Sequence, residues 1–126
     1  MKTLISILVL FFTPLFAADF NCIVEKKINY EMEYPKEHLE KYKFSLKIHD
    51  EDSPYPSLER CSFVASENMV TCDQYPVDKV EIDPHANIKK YYYFEGQFDV
   101  QLYSDLWFIE NNGRGTFAWG QCEVVN

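Results

Sequence analysis

Phe98-Asp99-Val100-Gln101-Leu102-Tyr103 alternates a large apolar side chain with Asp99, Gln101 and Tyr103. A period of two belongs to a β-strand with one face buried and the other wet, because successive side chains leave a pleated backbone on opposite sides. The same period recurs outward along the chain. Tyr42, Phe44, Leu46 and Ile48 alternate with Lys43, Ser45 and Lys47, and Val80 and Ile82 alternate with Lys79, Glu81 and Asp83. Nine tyrosines and ten phenylalanines among 126 residues suit pleated surfaces better than helices. One segment departs from the pattern: Tyr34-Pro35-Lys36-Glu37-His38-Leu39-Glu40-Lys41 has proline at a helix start followed by helix formers, which predicts a helix of two turns at most. Asp50-Glu51-Asp52-Ser53-Pro54-Tyr55-Pro56-Ser57 and Asp83-Pro84-His85-Ala86-Asn87 read as loops.

Turn residues set the order of the strands. Asn112-Gly113 fits the centre of a two-residue type I′ turn, which pairs 108 with 117 and 106 with 119. Glu95-Gly96 joins the tyrosine-rich run to the Phe98 strand in a similar way. Ala65-Ser66-Glu67-Asn68 closes a four-residue hairpin loop, and with that loop Cys61 falls opposite Cys72. A bridge across this pair is the local solution and leaves Cys22 with Cys122, which ties the first strand to the last. The expected fold is all-β and mainly antiparallel with one short helix: an eight- or nine-stranded barrel or barrel-like sandwich stapled by two disulfides. Closure removes sticky sheet edges, which favours the barrel. Zinc fits poorly, because there is no C-x-x-C and His38, His49 and His85 are scattered among acidic loops.

The chain opens with one lysine and an apolar run, Leu4 to Phe12, followed by Pro14 and then Ala17-Ala18, the order of a cleavable secretory signal over residues 1–18. That leaves a single domain over 19–126 with no stable membrane anchor, in a periplasmic or secreted location that allows disulfides. Loss of the leader removes one lysine and no acid, moving the net charge from −8 to −9. An acidic domain is repelled by nucleic acid and by anionic lipid, so neither is expected as a partner.

Chemistry-bearing motifs are sparse. Ser66, Ser104, His85 and Asp105 lack a nucleophile elbow, and Asp50-Glu51-Asp52 lacks the glycine and distal glutamate of an EF-hand loop. The expectation is a protein that is no enzyme, with no cofactor and no metal. The last strand is more informative. Cys122 faces inward to meet Cys22 while Gln121 and Glu123 face water, so Phe117 and Trp119 point outward. The Asn112-Gly113 pairing then adds Leu106 and Phe108 to the same outer face. Tyr91 and Tyr93, from Tyr91-Tyr92-Tyr93-Phe94, are further candidates for a binding face. Three arrangements remain open: a cover by the short helix or by Ile28-Asn29-Tyr30-Glu31-Met32, a bulge at Gly120 that turns Phe117 and Trp119 inward, or an exposed contact surface.

In signal, disulfides and strand spacing the chain resembles in architecture the small exported β-barrels that include lipocalin-like binders and bacterial lysozyme inhibitors. A lipocalin G-x-W is absent from the first strand, where Phe20-Asn21-Cys22-Ile23-Val24 stands. The functional expectation is a binding module acting by protein contact on another exported or envelope protein. The alternatives are a carrier of a small apolar ligand and an inhibitor of a basic secreted hydrolase such as a lysozyme.

Overall fold

The computed structural model describes residues 18–50 and 54–125. Residues 1–17 of the expected leader therefore lie outside the described residues, as do Glu51 and Asp52. Nine strands and one helix follow in order: β1 (Asp19–Ile28), α1 (Lys36–Tyr42), β2 (Ser45–His49), β3 (Ser57–Val64), β4 (Met69–Pro76), β5 (Lys79–Asp83), β6 (Ile88–Tyr93), β7 (Phe98–Tyr103), β8 (Trp107–Asn111) and β9 (Phe117–Val125). All pairings are antiparallel, and the strand order is β4-β3-β2-β1-β9-β8-β7-β6-β5. The sheet curls into a half-barrel. Its concave face gathers Phe20, Leu46, Ile48, Leu58, Tyr91 and Phe108, each at most 2% exposed, into one core.

Both disulfides form as expected. Cys22 stands opposite Cys122 across β1 and β9, and Cys61 stands opposite Cys72 across β3 and β4. The Cys22–Cys122 bridge lies within the core, and two disulfides fit an extracytoplasmic protein. Among the described residues no helix is long and apolar enough to cross a membrane.

Pairing of the first and last strands does not supply the seam that barrel closure suggested. β1 and β9 lie in the middle of the sheet, and the two edge strands are β4 and β5, which follow each other in the chain. Here the backbone changes neighbours. Val77 N–H donates to the carbonyl of Pro56, on the β3 side, and the next residue, Asp78, donates to the carbonyl of Tyr92, on the β6 side. The Asp78 carboxylate then accepts from Phe94 N–H at 2.8 Å. Inside, the Tyr75 ring of β4 packs against Tyr93 of β6 and Phe98 of β7, at 5.2 and 5.4 Å between centroids. One extended run thus serves both halves of the curl.

The helix begins after Pro35, whose carbonyl accepts from His38 and Leu39, and ends at Lys43 in a left-handed conformation. The alternation read from Tyr42 onward becomes strand only at Ser45, because Tyr42 belongs to this last helical turn. Leu39 is buried where the helix packs on β1 and β3.

Three hairpin loops test the turn chemistry. Residues 65–68 connect Val64 to Met69 as expected, with Asn68 at positive φ. Residues 94–97 form a four-residue loop, longer than the two-residue turn expected, yet the register is the same. The loop after β8 departs further. Asn112 donates to the Thr116 carbonyl, and its side chain accepts from the backbone N–H of Arg114 and Thr116, so the connection spans residues 112–116. Gly113 adopts φ +77° with its α-carbon against the backbone of Gly96 and Gln97, where a side chain would not fit.

Candidate functional site

That longer loop reassigns the outer face. Asn111 pairs with Phe117, Ile109 with Trp119 and Trp107 with Gln121. The change of register reverses the parity of β8, since each one-residue step turns a strand over. Phe108 therefore points inward, opposite Gly120, and is fully buried. Leu106, at φ +69° in the preceding turn, packs against the core. Tyr91 is also fully buried, and Tyr93 lies on the inner face against Tyr75. These four residues leave the candidate face; Phe117 and Trp119 remain on it.

Trp107, Ile109 and Ile28 take the vacated positions. With Tyr103, Phe117 and Trp119 they line an open groove of about 570 Å³ on the convex side of β7, β8 and β9. Trp107 and Phe117 are 38% and 41% exposed, too much for rings that belong to a core. The floor is sheet backbone, so the rings stand on a rigid base. Lys26 extends over the Trp119 ring, 5.4 Å from its centroid, and Gln101 and Asp105 supply polar groups at the margin. The short helix does not cover this face, because it packs on β1 and β3.

A bulge does occur near Gly120, but on the partner strand. Register shifts between Val24 and Lys26, so Glu25 is the extra residue in β1. A Cβ on Gly120 would lie 1.9 Å from the carbonyl oxygen of Ile23 and 2.9 Å from the backbone nitrogen of Glu25. Glycine at 120 is thus what lets the bulged backbone approach. β9 keeps its alternation, and Phe117 and Trp119 stay outside.

Charged groups in the interior went unseen in the sequence. Arg60 of β3 meets Glu110 of β8, Nε to Oε2, at 3.3 Å, and the Arg60 guanidinium also lies over the Phe98 ring. Burial pushes the Glu110 carboxyl above its ordinary range, against the opposing pull of Arg60 and Lys27. At the end of β2, Asp50 accepts from the Lys89 ammonium and from the Tyr91 hydroxyl, the latter at 2.7 Å. Burial, then the Asp50 charge, drives the Tyr91 phenol far above its ordinary value. On the convex side His49 bridges Glu59 at 2.7 Å and Asp19 at 3.5 Å, and the hydrogen bond to Glu59 raises its pKa.

Another groove, about 690 Å³, runs between α1 and the sheet and is lined by Ile23, Leu39, Phe44 and Val70 together with charged side chains of the helix and its flanks. His85 sits in a turn in which Asp83 accepts from the backbone N–H groups of His85 and Ala86. Among the described residues no group of three or more His, Cys, Asp or Glu side chains is arranged to hold a metal ion. No known protein family matches the chain, and no curated protein or solved structure matches it either.

Proposed function

We propose that this protein is a non-enzymatic binding module, periplasmic or secreted, that acts by protein contact through the outer face of β8 and β9. The observation that carries this reading is the cluster of Trp107, Ile109, Phe117 and Trp119, held open to solvent on a sheet whose other face already supplies the core. Exposed tryptophans on a rigid base are the residues that anchor interfaces, because they bury much area at little cost in side-chain entropy.

Charge narrows the partner. With a net charge of −8 the chain attracts a basic exported protein, such as a basic hydrolase, and opposite charge speeds encounter more than it tightens the complex. A carrier of an apolar ligand is a weaker reading. The concave face is filled by Phe20, Phe98, Phe108 and Tyr91, and the cavity at its mouth, about 180 Å³, is lined by charged side chains. Carriers of drug-sized ligands enclose at least about 300 Å³, whereas the groove of about 690 Å³ beside α1 is open to solvent and edged by Glu25, Glu33, Lys36, Glu40 and Lys43.

The test is capture from the native cell envelope with the oxidised protein, comparing wild type with Trp119→Ala and with Trp107→Ala, followed by binding kinetics on the isolated partner. One basic protein is expected to be retained by wild type and lost by both variants, with an association rate that falls as salt is added. A partner held equally by both variants would rule out this face, and salt-independent association would rule out the charge argument.

A further inference from the structure

The two disulfides hold opposite situations in one sheet. Cys22–Cys122 joins the central strands, with β2 beyond β1 and β8 beyond β9, and both of its cysteines belong to the core, at 1% and 7% exposed. Cys61–Cys72 joins β3 to β4, and β4 is an edge. Cys61 has the parity of Glu59 along β3 and so lies on the convex side, outside the core cluster. It is itself only 4% exposed, whereas Cys72 is open to solvent.

A disulfide is exchanged when a thiolate attacks one of its sulfurs, in line with the S–S bond and on the side away from the leaving sulfur, so access decides which sulfur reacts. Cys61 and Cys72 stand directly opposite each other in the β3–β4 register, and their bond therefore runs across the strands toward the edge. The in-line approach to Cys72 Sγ comes from beyond β4, where among the described residues no further strand pairs. The matching approach to Cys61 Sγ comes from over β2, which is paired with β3. For the central bridge both approaches cross paired strands. Burial and direction thus single out one sulfur of the four.

The product is also one the fold can hold. The bridge closes a sequence separation of 11, and the ladder that pairs β4 with β3 from Ser57–Pro76 to Val64–Met69 does not depend on the bond between the sulfurs. Tyr75 keeps β4 against Tyr93 and Phe98 on the inner face, and Cys22–Cys122 still ties the centre of the sheet.

We propose that Cys72 is a site of reversible thiol–disulfide exchange, accepting an incoming thiolate while Cys61 leaves, and that Cys22–Cys122 takes no part. In the first step the thiolate forms a bond to Cys72 Sγ and the Cys61–Cys72 bond breaks. Its electron pair goes to Cys61 Sγ, which takes a proton from water. The products are a mixed disulfide at Cys72 and a thiol at Cys61. A monothiol stops there, and return attack by Cys61 reverses the step. A dithiol continues: its second thiolate attacks its own bound sulfur and expels Cys72 as a thiolate. The dithiol is then oxidised to a disulfide and the bridge is reduced to two thiols.

Three strands separate β4 from β9, so the test does not depend on the outer aromatic face. The oxidised, folded wild-type chain is incubated with reduced glutathione, quenched in acid, alkylated and mapped by peptide mass. One glutathione per chain is expected, on Cys72, with Cys61 alkylated and Cys22–Cys122 intact. With dithiothreitol the Cys61–Cys72 bridge is expected to open at least about a hundredfold faster than Cys22–Cys122, because the buried bridge must wait for the sheet to open. That rate is expected to stay level in urea below the unfolding transition, since attack on the folded chain exposes no new surface. Glutathione on Cys61, equal rates for the two bridges, or opening that accelerates with urea as global unfolding does overturns the proposal, as does the absence of any adduct.

Discussion

Two single residues make contacts between strands that other side chains could not supply. Gly120 has no room for a methyl group, since its Cβ position lies 1.9 Å from the carbonyl oxygen of Ile23. Gly120→Ala is expected to destabilise the fold by about 3 kcal/mol, the upper range for forcing extra atoms into a packed site, as read from a urea midpoint. His49 couples three strands through Glu59 and Asp19. Its folded pKa is raised above the ordinary 6.5, so folding takes up a proton in the interval between the two values. The stabilisation is complete below pH 6.5 and is lost as pH rises through the higher folded value. Urea midpoints measured across that interval are expected to fall in wild type relative to His49→Gln; parallel profiles would show that the histidine contributes nothing to the pH dependence.

At the scale of elements, register decided what could be read from sequence. The 65–68 loop spans four residues whichever strand ends are chosen, so Cys61 opposite Cys72 followed from counting. Phe117 and Trp119 were legible because Cys122 fixed the parity of their strand. Phe108 was misplaced because Asn112-Gly113 has the composition of a two-residue turn, whereas the Asn112 side chain holds a loop that runs to Thr116. Lys27 was invisible for a related reason: the bulge that turns it inward is made possible by a glycine on another strand, nearly a hundred residues away. The reassigned face has its own consequence. Trp107 and Trp119 rest on the sheet without filling its core, so the double change Trp107→Ala, Trp119→Ala is expected to shift stability by no more than about 1 kcal/mol. A loss comparable to that of a core aromatic, about 3 to 5 kcal/mol, would mean that these rings are structural.

Across the described residues, the first and last strands meet at the centre of the sheet and the open edges fall on β4 and β5, either side of Val77-Asp78. Nothing in the composition of that run announces a change of neighbours, which is why the seam was expected elsewhere. The Cys22–Cys122 bridge separates residues 100 apart in sequence, the Cys61–Cys72 bridge residues 11 apart. In the chain-entropy view the long bridge contributes about 4.7 kcal/mol and the short one about 3. Replacing each pair by alanine is expected to reproduce that order in denaturation midpoints. Equal losses would show that the chain entropy of the unfolded state does not set their worth.

Both tryptophans of the chain lie on the outer face, so their fluorescence reports on that surface alone. Acrylamide quenching of the native, oxidised protein decides whether the aromatic groove is open. Ready quenching, approaching that of the urea-unfolded chain, is the outcome expected of an exposed contact surface. Emission shielded from acrylamide until the protein unfolds would mean that the rings are covered and that the binding face lies elsewhere.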